Sequence, residues 1–114
     1  ILKTRGVNVI GTGRQGYIKM SYSQLVKKLG TPEWEENDSD SKIKIEWRIE
    51  FENGAIATIY DYKMYDYDID WLKKNLKDWY VGGNQLAVQA LQSHGIPVRE
   101  KYSKGGIIGR ILGR

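Results

Sequence analysis

The sequence predicts an α+β fold: a small antiparallel sheet built on a central hairpin over residues 42–63, with two helices, about 21–29 and 84–94, on one face. Three observations predict it. In KIKIEWRIEFENGAIATIYDYK, Ile43, Ile45, Trp47, Ile49 and Phe51 alternate with Lys44, Glu46, Arg48 and Glu50, the period of a strand with one buried face. In SYSQLVKKLG, Tyr22, Leu25, Val26 and Leu29 recur at helical spacing and form one apolar stripe. The 114 residues suffice for one domain, and the order strand, helix, hairpin, strand, helix suits helices laid on an antiparallel sheet.

Residues 7–10 read as a strand, followed by a glycine-rich bend and a second extended piece at 17–20. Gly11, Gly13 and Gly16 spell G-x-G-x-x-G, the dinucleotide-binding spacing. Its context is wrong. IKM intervenes before the helix, so the last glycine does not open a helix onto a pyrophosphate, and the chain is too short for a doubly wound sheet. No cofactor is expected. Ser21 is placed as an N-cap with Gln24 completing a capping box, and Gly30 and Pro32 end the helix. EWEENDSDS, 33–41, reads as a solvated acidic loop.

Asn53 and Gly54 predict a two-residue type I′ turn. That turn places Phe51 opposite Ile56, Ile49 opposite Thr58 and Trp47 opposite Tyr60. It also sets Glu46 against Asp61 and Lys44 against Lys63, both unfavourable. In MYDYDIDWLKKNLKDWY, Asp66, Asp68 and Asp70 alternate like the start of a calcium loop. Trp71 stands where that loop needs glycine and Lys77 where it needs glutamate, so no metal is expected. The segment reads as a loop or one short helix leading into a strand at Trp79, Tyr80 and Val81. Gly82 and Gly83 are expected to break that strand, and Asn84 to cap a helix closed by Gly95 and Pro97. The compact domain is thus residues 1–97, with 98–114 a basic glycine-rich tail, flexible or partner-dependent.

Composition narrows the chemistry. There is no cysteine, which excludes disulfides, thiolate zinc sites and thiol catalysis and fits a cytoplasmic protein. No run approaches the roughly 20 apolar residues that span a bilayer, so no membrane partner is expected. The net charge is +4, and all of it lies in residues 99–114, where Arg99, Lys101, Lys104, Arg110 and Arg114 face one acid, Glu100. Attraction for nucleic acid therefore belongs to the tail, because the body is neutral and shows no basic aromatic sheet stripe. The single histidine, His94, stands beside Gly95, where it suits contact with a helix's last carbonyls better than general-base work. No nucleophile elbow holds a serine. An enzyme is not expected.

Three segments, GYIKMSYSQLVKKLGTP, EWRIEFENGAIATIYDYK and WYVGG before a helix, together resemble a family of small proteins encoded by tailed bacteriophages. That family pairs W-x-I-x-F-x-[DN]-G-x-x-A-T-I-Y-[DN] with W-x-[IV]-G-G, and the likeness covers about residues 13–92. The resemblance implies a virus-encoded accessory protein acting in the bacterial cytoplasm, with a host-defence or metabolic target.

Binding is the better supplied role. Arg14 and Gln15, between glycines, offer donors to an anion or an acidic partner, though they also suit an ordinary turn. Tyr17, Tyr62 and Lys63 join the candidate set. Arg48 lies on the charged sheet face near Lys63 and Glu50. Trp79, Gly82, Gly83 and Asn84 form a strand-turn-helix start whose free N–H groups suit a phosphate or carboxylate. The expected role is a non-catalytic protein that binds and blocks or sequesters a host factor. The alternatives are a sponge for a small anionic nucleotide signal, or a nucleic-acid accessory protein using the tail. Homodimerisation is expected from an exposed sheet edge.

Overall fold

The computed structural model describes residues 2–100; of the expected tail, residues 101–114, with Lys101, Lys104, Arg110 and Arg114, lie outside them. Within that span the chain forms β1 (Gly13–Lys19), α1 (Tyr22–Leu29), β2 (Trp34–Glu35), β3 (Ile45–Glu50), β4 (Ile56–Tyr60), α2 (Ile69–Asn75), β5 (Asp78–Gly83), α3 (Ala87–Ser93) and β6 (Arg99–Glu100). The six strands form one antiparallel sheet in the order β2-β3-β4-β5-β1-β6. The α+β class holds, with a third helix.

Alternation sorts each strand. Ile18, Ile45, Trp47, Ile49, Ala57, Ile59, Trp79 and Val81 point to one face, where they form the core with Leu25 and Leu29 of α1, Leu72 of α2, and Ala87 and Leu91 of α3. All three helices therefore cover the same side. Trp47 and Trp79 meet edge-on with ring centroids 5.4 Å apart. Their indole N–H groups donate to the carbonyls of Gly30 and Met20, each at 2.9 Å, so both rings are buried without an unpaired donor.

Local signals explain the helix ends. Ser21 Oγ accepts the Gln24 N–H and Gln24 Oε1 accepts the Ser21 N–H, the expected reciprocal cap. Asp68, one of the alternating acids, caps α2 by accepting the Trp71 N–H at 2.9 Å. Among the described residues, no group of three or more His, Asp or Glu side chains is arranged to hold a metal.

Several expectations are corrected. Residues 7–10 form no strand; Val7 is buried within a loop that ends in the Thr12-to-Val9 backbone bond, and the upstream chain pairs instead through Lys3 and Glu50. The hairpin loop has three residues, not two. Phe51 and Ala55 close it, through Phe51 N–H to the Ala55 carbonyl at 2.9 Å, and only Gly54 takes a positive φ, 87°. This is a turn followed by a left-handed glycine bulge, and it shifts the register by one. Trp47 now faces Ile59, Ile49 faces Ala57 and Glu46 faces Tyr60, which gathers the apolar residues of both strands on the core side. The clashing pairs vanish: the Asp61 carboxylate takes the Lys44 and Ile45 N–H groups, and the Lys63 N–H bonds the Lys42 carbonyl.

Gly82 and Gly83 do not break β5; they pair with β1 and β4. The compact part runs past residue 97, because Val98 is buried and Arg99 and Glu100 pair with Tyr17 and Gly16. Both edge strands of the described sheet are two residues long, an arrangement that discourages edge-to-edge pairing. No helix among the described residues is long and apolar enough to cross a membrane.

Candidate binding face

The second side of the sheet carries no helix among the described residues, and its strands set two lateral rows there. The first runs Glu46, Tyr60, Tyr80, Tyr17, Arg99 and the second Arg48, Thr58, Gly82, Arg14, each neighbour being a register partner. The expected lack of a basic aromatic stripe is therefore corrected: the sheet bears one. It was hidden because its members come from β3, β4, β5, β1 and β6, and only the strand order makes them neighbours.

Tyr60 and Tyr80 stack with centroids 5.9 Å apart. Tyr62, just past β4, meets both edge-on, 6.4 Å from Tyr60 and 5.9 Å from Tyr80. The Arg14 guanidinium lies 4.4 Å from the Tyr80 ring centre, a cation–π distance. Arg14, Tyr60, Tyr62 and Tyr80 line a hollow of about 250 Å³. Arg14, Tyr62 and Tyr80 also border a larger depression of about 480 Å³ that reaches Asp61, Met64 and Leu76. Together these fall within the size range of small-ligand sites.

The backbone holds this surface open. A bulge between Arg14 and Gly16 inserts Gln15 as an extra residue in β1, which keeps Arg14 aimed at the uncovered face. Gly82 lies between Thr58 and Arg14; a Cβ there would stand 2.6 Å from Thr58 Oγ1 and 3.6 Å from the Tyr60 ring. Glycine thus lets the Thr58 side chain and the Tyr60 ring pack against the β5 backbone, where any side chain would displace them.

Burial raises the Tyr60 phenol above its ordinary value, against the lowering pull of Arg14. Glu46 is likewise lifted by burial, with Arg48 pulling it back through an ion pair at 3.1 Å. Asp61, 1% exposed, is also raised by burial, although the backbone N–H groups of Ile45 and Lys44 and the Lys44 charge oppose the rise. Lys44 itself spends its ammonium on the Met64 carbonyl at 2.9 Å.

The structure divides the expected site residues. Arg14, Tyr17 and Tyr62 meet at the depression. Lys63 stands beside it with its ammonium 5.3 Å from the Tyr62 ring centre, in a left-handed backbone at φ 57°. Arg48 shares the face but is committed to Glu46. The others serve structure. Gln15 is no anion donor in a bend: its amide donates to the Gly83 carbonyl at 3.1 Å. Trp79 is a core ring that also lines the depression from beneath. Gly82 and Gly83 are taken up in strand pairing, so no free N–H cradle forms there. Asn84 does not cap α3, whose N-cap is Leu86 without a side-chain bond; it ties β4 to the hairpin loop by accepting the Ile56 and Leu86 N–H groups and donating to the Gly54 carbonyl. His94 Nε2 reaches the Lys28 carbonyl of α1 at 3.2 Å, a contact with another helix's last turn. Of the G-x-G-x-x-G glycines, Gly16 makes room for the Arg99 carbonyl. The site residues that sequence reasoning missed are Tyr60 and Tyr80.

Comparison with protein families, with curated proteins and with solved structures finds no match.

Proposed function

We propose that this protein acts by binding, without turnover, and that its uncovered sheet face sequesters a small anionic ligand that carries a planar ring. The observation that carries the reading is Arg14 set over Tyr80 within the Tyr60, Tyr62 and Tyr80 cluster, around the hollow that these four residues line. Aromatic faces stack rings with little dependence on ring identity, and a guanidinium at their margin favours an anion. The phage-type motifs supply the setting: an accessory protein that removes a nucleotide signal from a bacterial defence. A thermal-shift screen with mono- and cyclic nucleotides tests this. At least one nucleotide should raise the melting temperature, and Tyr80→Leu should abolish the rise; a flat response across the set contradicts the reading.

A second reading, blockade of a host protein, is favoured by a different surface. Tyr67 and Trp71 stack 4.1 Å apart at the start of α2 and are about 40% exposed, as is Tyr65. Aromatic clusters of this kind are frequent in protein interfaces. On this reading Trp71→Ser, and not Tyr80→Leu, removes the partner from a pull-down.

A further inference from the structure

Asp61 is the one group at the large depression whose chemistry is unfinished. Its Oδ1 accepts the Lys44 and Ile45 N–H groups, both at 2.8 Å, while Oδ2 is buried with no hydrogen-bond partner among the described residues. A buried acceptor left unpaired is costly, and the nearest cation does not relieve it, because the Lys44 ammonium bonds the Met64 carbonyl. Asp61 nevertheless lines the depression shared by Arg14, Tyr62 and Tyr80. Tyr62, exposed, and Met64, half-buried, line it too, and a donor reaches the buried Oδ2 only when side chains at this rim rotate.

An ionised carboxylate only accepts, so the ligand must bring an N–H or O–H to this point. It must also bring a flat ring for the tyrosines and an anion for Arg14. We propose, resting on the ring-and-anion reading of this face, that the depression takes a nucleotide whose base carries an exocyclic amino group, donated to Asp61 Oδ2 while the base stacks on Tyr62, meets the perpendicular Tyr80 ring edge-on, and turns its phosphate to Arg14. Asp61 is then a specificity-determining residue. Adenine, cytosine and guanine present such an amino group; uracil and hypoxanthine present a carbonyl or a hydrogen in its place.

Calorimetric titration of the wild-type protein with matched pairs tests the proposal: adenosine against inosine monophosphate, guanosine against inosine monophosphate, and cytidine against uridine monophosphate. In at least one pair the amino-bearing member should bind about tenfold tighter or more. Asp61→Asn sharpens the test. The asparagine oxygen still accepts both backbone N–H groups, but the free position changes from acceptor to donor; the preference should reverse in the adenosine–inosine or cytidine–uridine pair, where a carbonyl replaces the amino group, and vanish in the guanosine–inosine pair, where a hydrogen does. A short single-stranded oligonucleotide separates the source: steep loss of binding with salt marks a strand, tighter binding of the mononucleotide marks a free metabolite, and either supports the proposal if the amino preference is kept. Equal affinity within every pair, with Tyr80→Leu and Arg14→Ala still weakening binding, overturns base reading by Asp61 and leaves the ring-and-anion reading intact. Absence of binding by every nucleotide overturns both. The wild-type comparison decides the matter even where the asparagine variant does not fold.

Discussion

The two faces of this sheet use aromatic rings in opposite ways. On the helix-covered side Trp47 and Trp79 are 1% exposed, and each indole donates to a backbone carbonyl at the end of a neighbouring segment. Their polar edges are consumed by the fold. On the uncovered side Tyr60, Tyr62 and Tyr80 touch one another, Arg14 lies over Tyr80, and no hydrogen bond to a backbone carbonyl among the described residues closes them off. The covered face stabilises. The uncovered face keeps ring faces and a cation around a hollow. Nothing in packing requires that combination, and this is the reason to assign binding there.

The comparison can be broken first on the covered side. Trp47→Ala should cost about 3–5 kcal/mol, since it removes the contacts to Tyr22 and Trp79 together with the bond to Gly30. Chemical denaturation reads this directly; a loss below about 1 kcal/mol would mean the covered face is not the seat of stability. Gly82→Val should come next. Its Cβ meets Thr58 Oγ1 on a buried strand residue and approaches the Tyr60 ring, so the fold should lose about 1–3 kcal/mol, and ligand binding should fall as Tyr60 is displaced.

Tyr80→Leu should separate the two faces most clearly: stability within about 1.5 kcal/mol of wild type, with ligand response lost. The pH dependence of Asp61 is smaller. Burial lifts its folded value above that of the unfolded chain, so the folded state holds the proton more firmly. The resulting stabilisation is full below the unfolded value, about 4, and is lost as pH rises through the folded value. Melting curves of wild type and Asp61→Asn should therefore diverge in the variant's favour as pH rises from about 4; a constant difference would contradict the assignment. The least effect belongs to Lys19→Ala. Its ion pair with Asp78 has both partners more than half exposed, so the change should stay within about 0.5 kcal/mol.

How much of this was legible depended on range. The capping box of α1 and the alternation of β3 are local patterns, and both elements stand where the residues place them. The hairpin was legible but not its register. Asn53 and Gly54 satisfy a two-residue turn as well as a three-residue loop, and the apolar match of Trp47 to Ile59 and Ile49 to Ala57 decides between them. The short helix at 69–75 was obscured by alternating aspartates, one of which proved to be its cap. The binding face was legible only in pieces. Arg14, Tyr17 and Tyr62 could be picked out singly, but Tyr80 becomes a neighbour of Tyr60 and Tyr17 only once β5 is inserted between β4 and β1. Asp61 reads in sequence as a like-charge clash with Glu46, and its real partners are backbone groups that no pairing rule counts.

The claim that ligand binding belongs to the uncovered face is tested most directly by amide chemical-shift mapping during a nucleotide titration. Shifts should gather at Arg14, Tyr60, Asp61, Tyr62, Tyr80 and Gly82, leaving Leu25, Leu72 and Leu91 unmoved. Shifts centred on the helices, or none at saturating ligand, would contradict it.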